Sequence, residues 1–110
     1  MAPDRVAFGP FVLDRRREAL LREGAVLPIG HRGYVLLETL LEAKGETVSK
    51  ATLMERVWPD AIVEEGNLTV QIAALRKALG AEGDAYIITV PRVGYRLTAP
   101  AGQGAAGPPD

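Results

Sequence analysis

Few side chains in this sequence are suited to acid–base or metal chemistry. Glu64 and Glu65 are adjacent carboxylates, but they lie just before a predicted helix, where the helix dipole favours negative charge by about 0.3–1 kcal/mol. The single histidine, His31, opens another predicted helix, where solvation or capping accounts for it better than metal ligation. There is no cysteine, and no GxGxxG, P-loop, HExxH or GxSxG pattern. The sequence predicts no catalysis, no metal site and no cofactor.

The length and composition are typical of one globular domain. Of 110 residues, 47% are hydrophobic and 25% are charged, and no apolar run approaches the roughly 20 residues that cross a bilayer. The first residues lack the apolar core of a signal peptide, so a cytoplasmic location is expected. Thirteen basic and 14 acidic residues give a net charge of −1. Attraction of an anionic partner must therefore arise from local arrangement of charge.

The chain divides near Ala99. Residues 1 to 98 carry the patterned segments of one domain, whereas residues 99 to 110 consist of Ala, Gly, Pro, Gln and Asp and are expected to form a flexible linker or tail. A linker in this position favours a further C-terminal domain, and a frayed natural terminus is the alternative.

The first 29 residues predict a small antiparallel sheet. Short apolar segments flank the turn signals Gly9-Pro10 and Glu23-Gly24. A run of three arginines, Arg15 to Arg17, falls between strands; a solvated turn is the simpler interpretation and contact with a DNA backbone is the other.

From Arg32 the apolar residues change to helical spacing. A first helix is predicted from there to Gly45, and a second begins at the N-cap residue Ser49 and ends at Pro59. A third helix ends at Gly80, and its core stripe consists of Leu68, Ile72, Leu75 and Leu79, which span about 60° of the helical wheel.

The opposite face of the third helix is unusually small. Gly66, Val70, Ala73, Ala74 and Lys77 lie there, with Asn67, Thr69 and Arg76 on its flanks. A helix with short side chains fits a major groove about 12 Å wide, where methyl groups contact thymine and Asn or Thr contact base edges, while Arg and Lys hold phosphates. High helicity, or packing on a partner protein, explains the same residues equally well.

A β-hairpin is predicted to follow this helix. Tyr86–Val90 and Tyr95–Thr98 have strand patterns and are joined by a proline-led tip. Arg92 at that tip suits a minor groove, where a narrow width concentrates negative potential. Tyr95 has two equally good interpretations, a DNA contact or a core residue.

Five motifs in order resemble the winged helix-turn-helix domain of the OmpR/PhoB family of bacterial transcription regulators. They span residues 6 to 98 and are FGPFVLD at 8–14, VSKATL at 48–53, VWP at 57–59, NLTVQIAALRKALG at 67–80 and ITVPRVGYRL at 88–97. The resemblance implies an α+β fold with an N-terminal four-stranded antiparallel sheet, three helices and a C-terminal hairpin called the wing.

The resemblance also implies a binding mode. The third helix enters the major groove and the wing lies in the adjacent minor groove. The DNA-contact residues implied by position or pattern are Trp58, Asn67, Thr69, Val70, Ala73, Arg76, Lys77, Thr89, Arg92, Tyr95 and Arg96. The loop at 59–65 matches a segment that touches RNA polymerase in some members; burial of Ile62 and Val63 is the alternative.

Three departures from the family pattern refine this expectation. Ala73 and Ala74 stand where basic residues are frequent, and Pro91 stands where the wing commonly has an arginine, with Arg92 one place later. The patterned domain stands at the N-terminal end of this sequence. This order resembles that of the ToxR/CadC-like regulators, whereas in the usual response regulator a phosphorylated receiver domain precedes the DNA-binding domain.

The predicted function is sequence-specific binding of double-stranded DNA by a bacterial transcription regulator. The domain is expected to be a monomer alone and to pair on repeated half-sites. The competing hypothesis is a winged-helix module that binds a protein and not DNA, which the near-zero charge and the acidic pair Glu64-Glu65 favour.

Overall fold

The computed structural model describes residues 4–98, and the predicted linker at 99–110 lies outside them. Within 4–98 the chain forms an antiparallel sheet, a helical layer and a second small sheet. Four strands make the first sheet in the order β1-β2-β3-β4: β1 Arg5–Phe8, β2 Phe11–Asp14, β3 Ala19–Arg22 and β4 Ala25–Leu27. The predicted N-terminal sheet is confirmed.

The inner face of this sheet carries the apolar side chains that meet the helices. Leu13 pairs with Leu20 across β2 and β3, and both are fully buried. Phe8 and Phe11 are also fully buried, and their rings stack with centroids 5.3 Å apart. At about 25 cal/mol per Å² of apolar surface removed from water, such aromatic residues are major contributors to the core.

Three principal helices follow the sheet, as predicted: α1 Gly30–Glu42, α2 Lys50–Val57 and α3 Glu65–Leu79. Ser49 caps α2, because its hydroxyl accepts a hydrogen bond from the Thr52 N–H at 3.1 Å. The predicted stripe of α3 is buried, with Leu68, Ile72, Leu75 and Leu79 at most 1% exposed. No helix among residues 4–98 is both long and apolar enough to cross a membrane.

The region after α3 differs from the predicted polar turn. A 3-10 turn at Gly80–Glu82 leads into a one-turn helix, α4 Gly83–Tyr86, so Tyr86 is helical and the next strand begins one residue later than expected. Gly83 is required here, because a Cβ on it would overlap the Arg76 carbonyl of α3.

The second sheet contains a strand that the sequence patterns do not reveal. Its order is β5-β7-β6, with β5 Val48–Ser49, β6 Ile87–Val90 and β7 Gly94–Leu97. Ser49 pairs with Gly94, and a Cβ on Gly94 would overlap the Val48 carbonyl, so a glycine is needed for this close approach. The wing is thereby joined to the residue that caps α2.

Candidate nucleic-acid interface

The outward face of α3 is accessible along its whole length. Val70 is 64% exposed on this face. The other exposed members of this face are Gly66, Asn67, Thr69, Ala73, Ala74 and Lys77. The predicted division of α3 into a buried leucine stripe and an exposed small face is confirmed.

The tip of the wing is a tight turn with strained backbone. The Val93 N–H donates to the Val90 carbonyl at 3.0 Å, which closes a four-residue turn with Pro91 and Arg92 at its centre. Arg92 has φ +69°, the left-handed value that the third position of a type II turn requires and that glycine usually supplies. An arginine there costs about 1–2 kcal/mol of backbone strain and projects a cation from the apex.

The basic residues of this surface fall into two groups. The side chains of Lys77 and Arg92 make no hydrogen bond or ion pair with any residue in the part of the chain that the structure describes, and both residues are exposed. Arg96 Nε instead donates to the Gly45 carbonyl at 3.0 Å, which connects β7 to the turn after α1. Two cations are therefore free to meet an anionic partner.

Arg76 belongs to the engaged group. Its Nε and Nη2 atoms lie 3.1 and 2.7 Å from the Ile87 carbonyl oxygen, and Nη2 also donates to Thr89 Oγ1 at 2.9 Å. Asp84 is a weaker partner, 3.8 Å from Nε and 94% exposed. The guanidinium thus connects α3 to β6, and Thr89, although exposed, has its hydroxyl oxygen turned to Arg76.

Two predicted contact residues are core residues. Trp58 is 8% exposed and has the Arg32 guanidinium 5.7 Å from its ring centroid, and Tyr95 is 6% exposed. Burial argues against direct DNA contact by these two side chains, and for Tyr95 it favours the core interpretation. Asn67 remains exposed, with its amide nitrogen 3.3 Å from the Glu64 carbonyl.

In the loop between α2 and α3, Ile62 and Val63 differ in burial. Ile62 is fully exposed, so the expectation that it is buried is wrong, whereas Val63 is partly buried against the core. Ile62 and Val63 line a shallow hollow at the end of α2, together with Met54, Glu55 and Pro59.

Lys50 is a basic residue at this surface that the sequence patterns do not single out. Its backbone N–H donates to the Val93 carbonyl at 3.1 Å, and its Nζ lies 2.7 Å from Glu65 Oε2. The hydrogen bond with Glu65 raises the pKa of Lys50. The sequence shows only that Lys50 directly follows the cap residue Ser49, and its nearness to Glu65 and to the wing appears in the structure alone.

The helices α2 and α3 are joined by a short loop, the outward face of α3 has short side chains, and the β6–β7 hairpin lies beside it. These features define a winged helix-turn-helix domain. A family model described as "Transcriptional regulatory protein, C terminal" matches residues 24–97. The chain belongs to this family.

Similar proteins agree with this assignment. "Transcriptional regulator HilA" of Salmonella typhimurium is 41% identical over 97 residues, which cover 87% of this chain and 17% of that protein. The DNA binding domain of Escherichia coli CadC superposes with a TM-score of 0.79 and 30% identity, covering 92% of this chain and 97% of that one. DrrB, a Thermotoga maritima OmpR/PhoB homologue, gives 0.78 and 25%, covering 86% and 44%. The chain spans less than a fifth of HilA.

Proposed function

We propose that this chain is the DNA-binding domain of a bacterial transcription regulator and that it recognises a specific double-stranded sequence in the cytoplasm. The observation that carries the proposal is the exposed, short side-chain face of α3 beside a wing whose tip holds a free arginine. In this binding mode α3 enters the major groove and Arg92 enters the adjacent minor groove. Val70 and Ala73 contact base edges, and Lys77 holds a phosphate.

Affinity for DNA is predicted to depend moderately on salt. Each phosphate that the domain neutralises contributes about −0.9 to the slope of log K against log[salt], so contacts by the two cations Lys77 and Arg92 predict a slope near −1.8. Because the isolated surface is small and the net charge is −1, the monomer binds modestly and gains affinity by pairing on repeated half-sites.

Two further partners belong to the proposal. The matched residues cover only 17% of HilA, which supports fusion of this domain to further sequence in a longer protein. The full exposure of Ile62, a large apolar side chain, supports a contact between the 59–65 loop and RNA polymerase.

The test is fluorescence anisotropy on a 30-base-pair duplex that the chain selects from a random-sequence pool. Lys77→Ala and Arg92→Ala are each expected to weaken binding of this duplex. Their cations have no partner among residues 4–98, so the loss of affinity is not a loss of folding.

One observation favours a second function, a protein-binding winged helix that does not bind DNA. Glu65 neutralises Lys50 at the edge of the surface. Failure to select any duplex, or binding that is insensitive to salt and to both substitutions, is the result that this alternative predicts.

A further inference from the structure

We propose that Arg76 is a positioning residue: it fixes the wing relative to α3 and affects DNA affinity through Arg92, without a phosphate contact of its own. The inference rests on the proposed function. It also reassigns a residue that sequence position alone places among the DNA contacts.

The geometry of the guanidinium carries this inference. Two of its nitrogens converge on the Ile87 carbonyl oxygen, at 3.1 and 2.7 Å, and Nη2 also reaches the Thr89 hydroxyl at 2.9 Å. The side chain is only 25% exposed. Three of the five N–H donors of the guanidinium are committed to these acceptors and hold it toward β6, which leaves only the two donors on Nη1 for any other partner.

The position of the acceptors explains why this contact matters for the wing. Ile87 and Thr89 lie in β6, and Val90 directly after them begins the turn that carries Arg92. The α3 backbone at Arg76 is itself held, because α4 packs so closely on it that Gly83 has no room for a Cβ. The hydrogen bonds of the Arg76 guanidinium therefore set the distance between the α3 backbone at Arg76 and the end of β6 from which the wing tip projects.

Arginine is suited to this task and lysine is not. A planar guanidinium donates to two acceptors in a fixed fork, whereas an ammonium group is a single point charge. A phosphate contact, by contrast, tolerates either residue. The Arg76→Lys variant consequently separates positioning from charge.

The test is a double-mutant cycle on the selected duplex. Arg92→Ala is expected to lower affinity about tenfold, and Arg76→Ala about three- to tenfold. In the Arg92→Ala background, Arg76→Ala is expected to cost less than twofold, because both residues act through one contact. Arg76→Lys is expected to behave as Arg76→Ala.

Lys77 supplies the matched control. It lies next to Arg76 on α3 but has no partner among residues 4–98, so the effect of Lys77→Gln is expected to multiply with that of Arg92→Ala. Thr98→Val removes hydrogen bonds to Ala85 and Tyr86 at the opposite end of the hairpin. It is expected to lower the melting temperature without any coupling to Arg92.

Thr89→Val tests the same connection with a smaller perturbation, and it serves if Arg76→Ala does not fold. It keeps the shape of the side chain and removes one acceptor, so we expect a loss of about two- to threefold that disappears in the Arg92→Ala background. The positioning role is overturned if the fold-losses of affinity of the Arg76 and Arg92 variants multiply in the double variant, or if Arg76→Lys keeps full affinity. Either result leaves the proposed DNA binding intact. If the unaltered chain selects no duplex, the proposed function itself fails.

Discussion

The ammonium nitrogen of Lys50 lies 2.7 Å from Glu65 Oε2, which joins the first residue of α2 to the first residue of α3. The backbone N–H of the same lysine donates to the Val93 carbonyl at the wing. The hydrogen bond with Glu65 raises the pKa of Lys50. Lys50 is therefore protonated at neutral pH, but a carboxylate beside it opposes its attraction for phosphate.

Glu65→Gln is expected to increase DNA affinity about two- to tenfold and to steepen the salt slope by about 0.9, because the charge of Lys50 becomes available to one phosphate. Anisotropy titrations at several salt concentrations measure both quantities. Glu23→Gln removes the same charge from the β3–β4 turn and serves as the control. A gain of equal size in both variants would show that only net charge matters.

Lys77→Gln is expected to weaken binding to the selected duplex and to unrelated duplexes by a similar factor and to reduce the salt slope by about 0.9, the signature of a lost phosphate contact. The melting temperature should not change, since the side chain is exposed. Arg16→Gln, in the turn after β2, removes the same charge elsewhere. A change in sequence preference for Lys77→Gln would instead assign this lysine to a base edge.

Arg92→Gly separates stability from binding. Glycine removes the strain of a left-handed residue at φ +69°, so the free energy of unfolding should rise by about 1 kcal/mol while DNA affinity falls. Urea denaturation and anisotropy give the two values. Glu23→Gly, at φ +52° in the β3–β4 turn, is the matched control and should gain stability with unchanged affinity. Unchanged affinity of Arg92→Gly would remove the wing tip from the interface.

Tyr34 gives the domain a pH dependence in the alkaline range. Burial, together with the neighbouring Glu38 carboxylate, raises its pKa from 10.0 to about 12. Its neutral form is favoured by folding, so this stabilisation is complete below pH 10 and is lost as the pH rises from 10 toward 12. A rise of about two pKa units corresponds to a loss of at most about 2.7 kcal/mol in the free energy of unfolding. Tyr34→Phe should flatten this part of the curve of unfolding free energy against pH, and identical curves would contradict the assignment.

The elements that the sequence predicts best are those with long regular patterns. The leucine stripe of α3 repeats over three turns, so its burial and the exposure of Val70 and Ala73 both follow from helical periodicity. The N-terminal strands are short, but turn residues such as Gly9-Pro10 mark their limits.

Tertiary contacts account for what the sequence patterns miss. The strand β5 has two residues, Val48 and Ser49, too few for an alternating pattern, and it exists because β7 pairs with it. The fork from Arg76 to Ile87 joins residues 11 apart and depends on the exact path of α4 between them. By contrast, the burial of Trp58 follows from the sequence, because Trp58 lies four residues after Met54 in the helical spacing of the second helix, and the structure confirms it.

The DNA-facing geometry is held by a closed set of hydrogen bonds: β5 to β7, β7 to β6, β6 to α3 through Arg76, and α3 back to α2 through Lys50. Residues 59 to 64 take no part in it. Because that loop contributes none of these hydrogen bonds, substitutions in it are expected to leave the angle between α3 and the hairpin unaltered, so the surface of the loop can change independently of the helix–hairpin geometry.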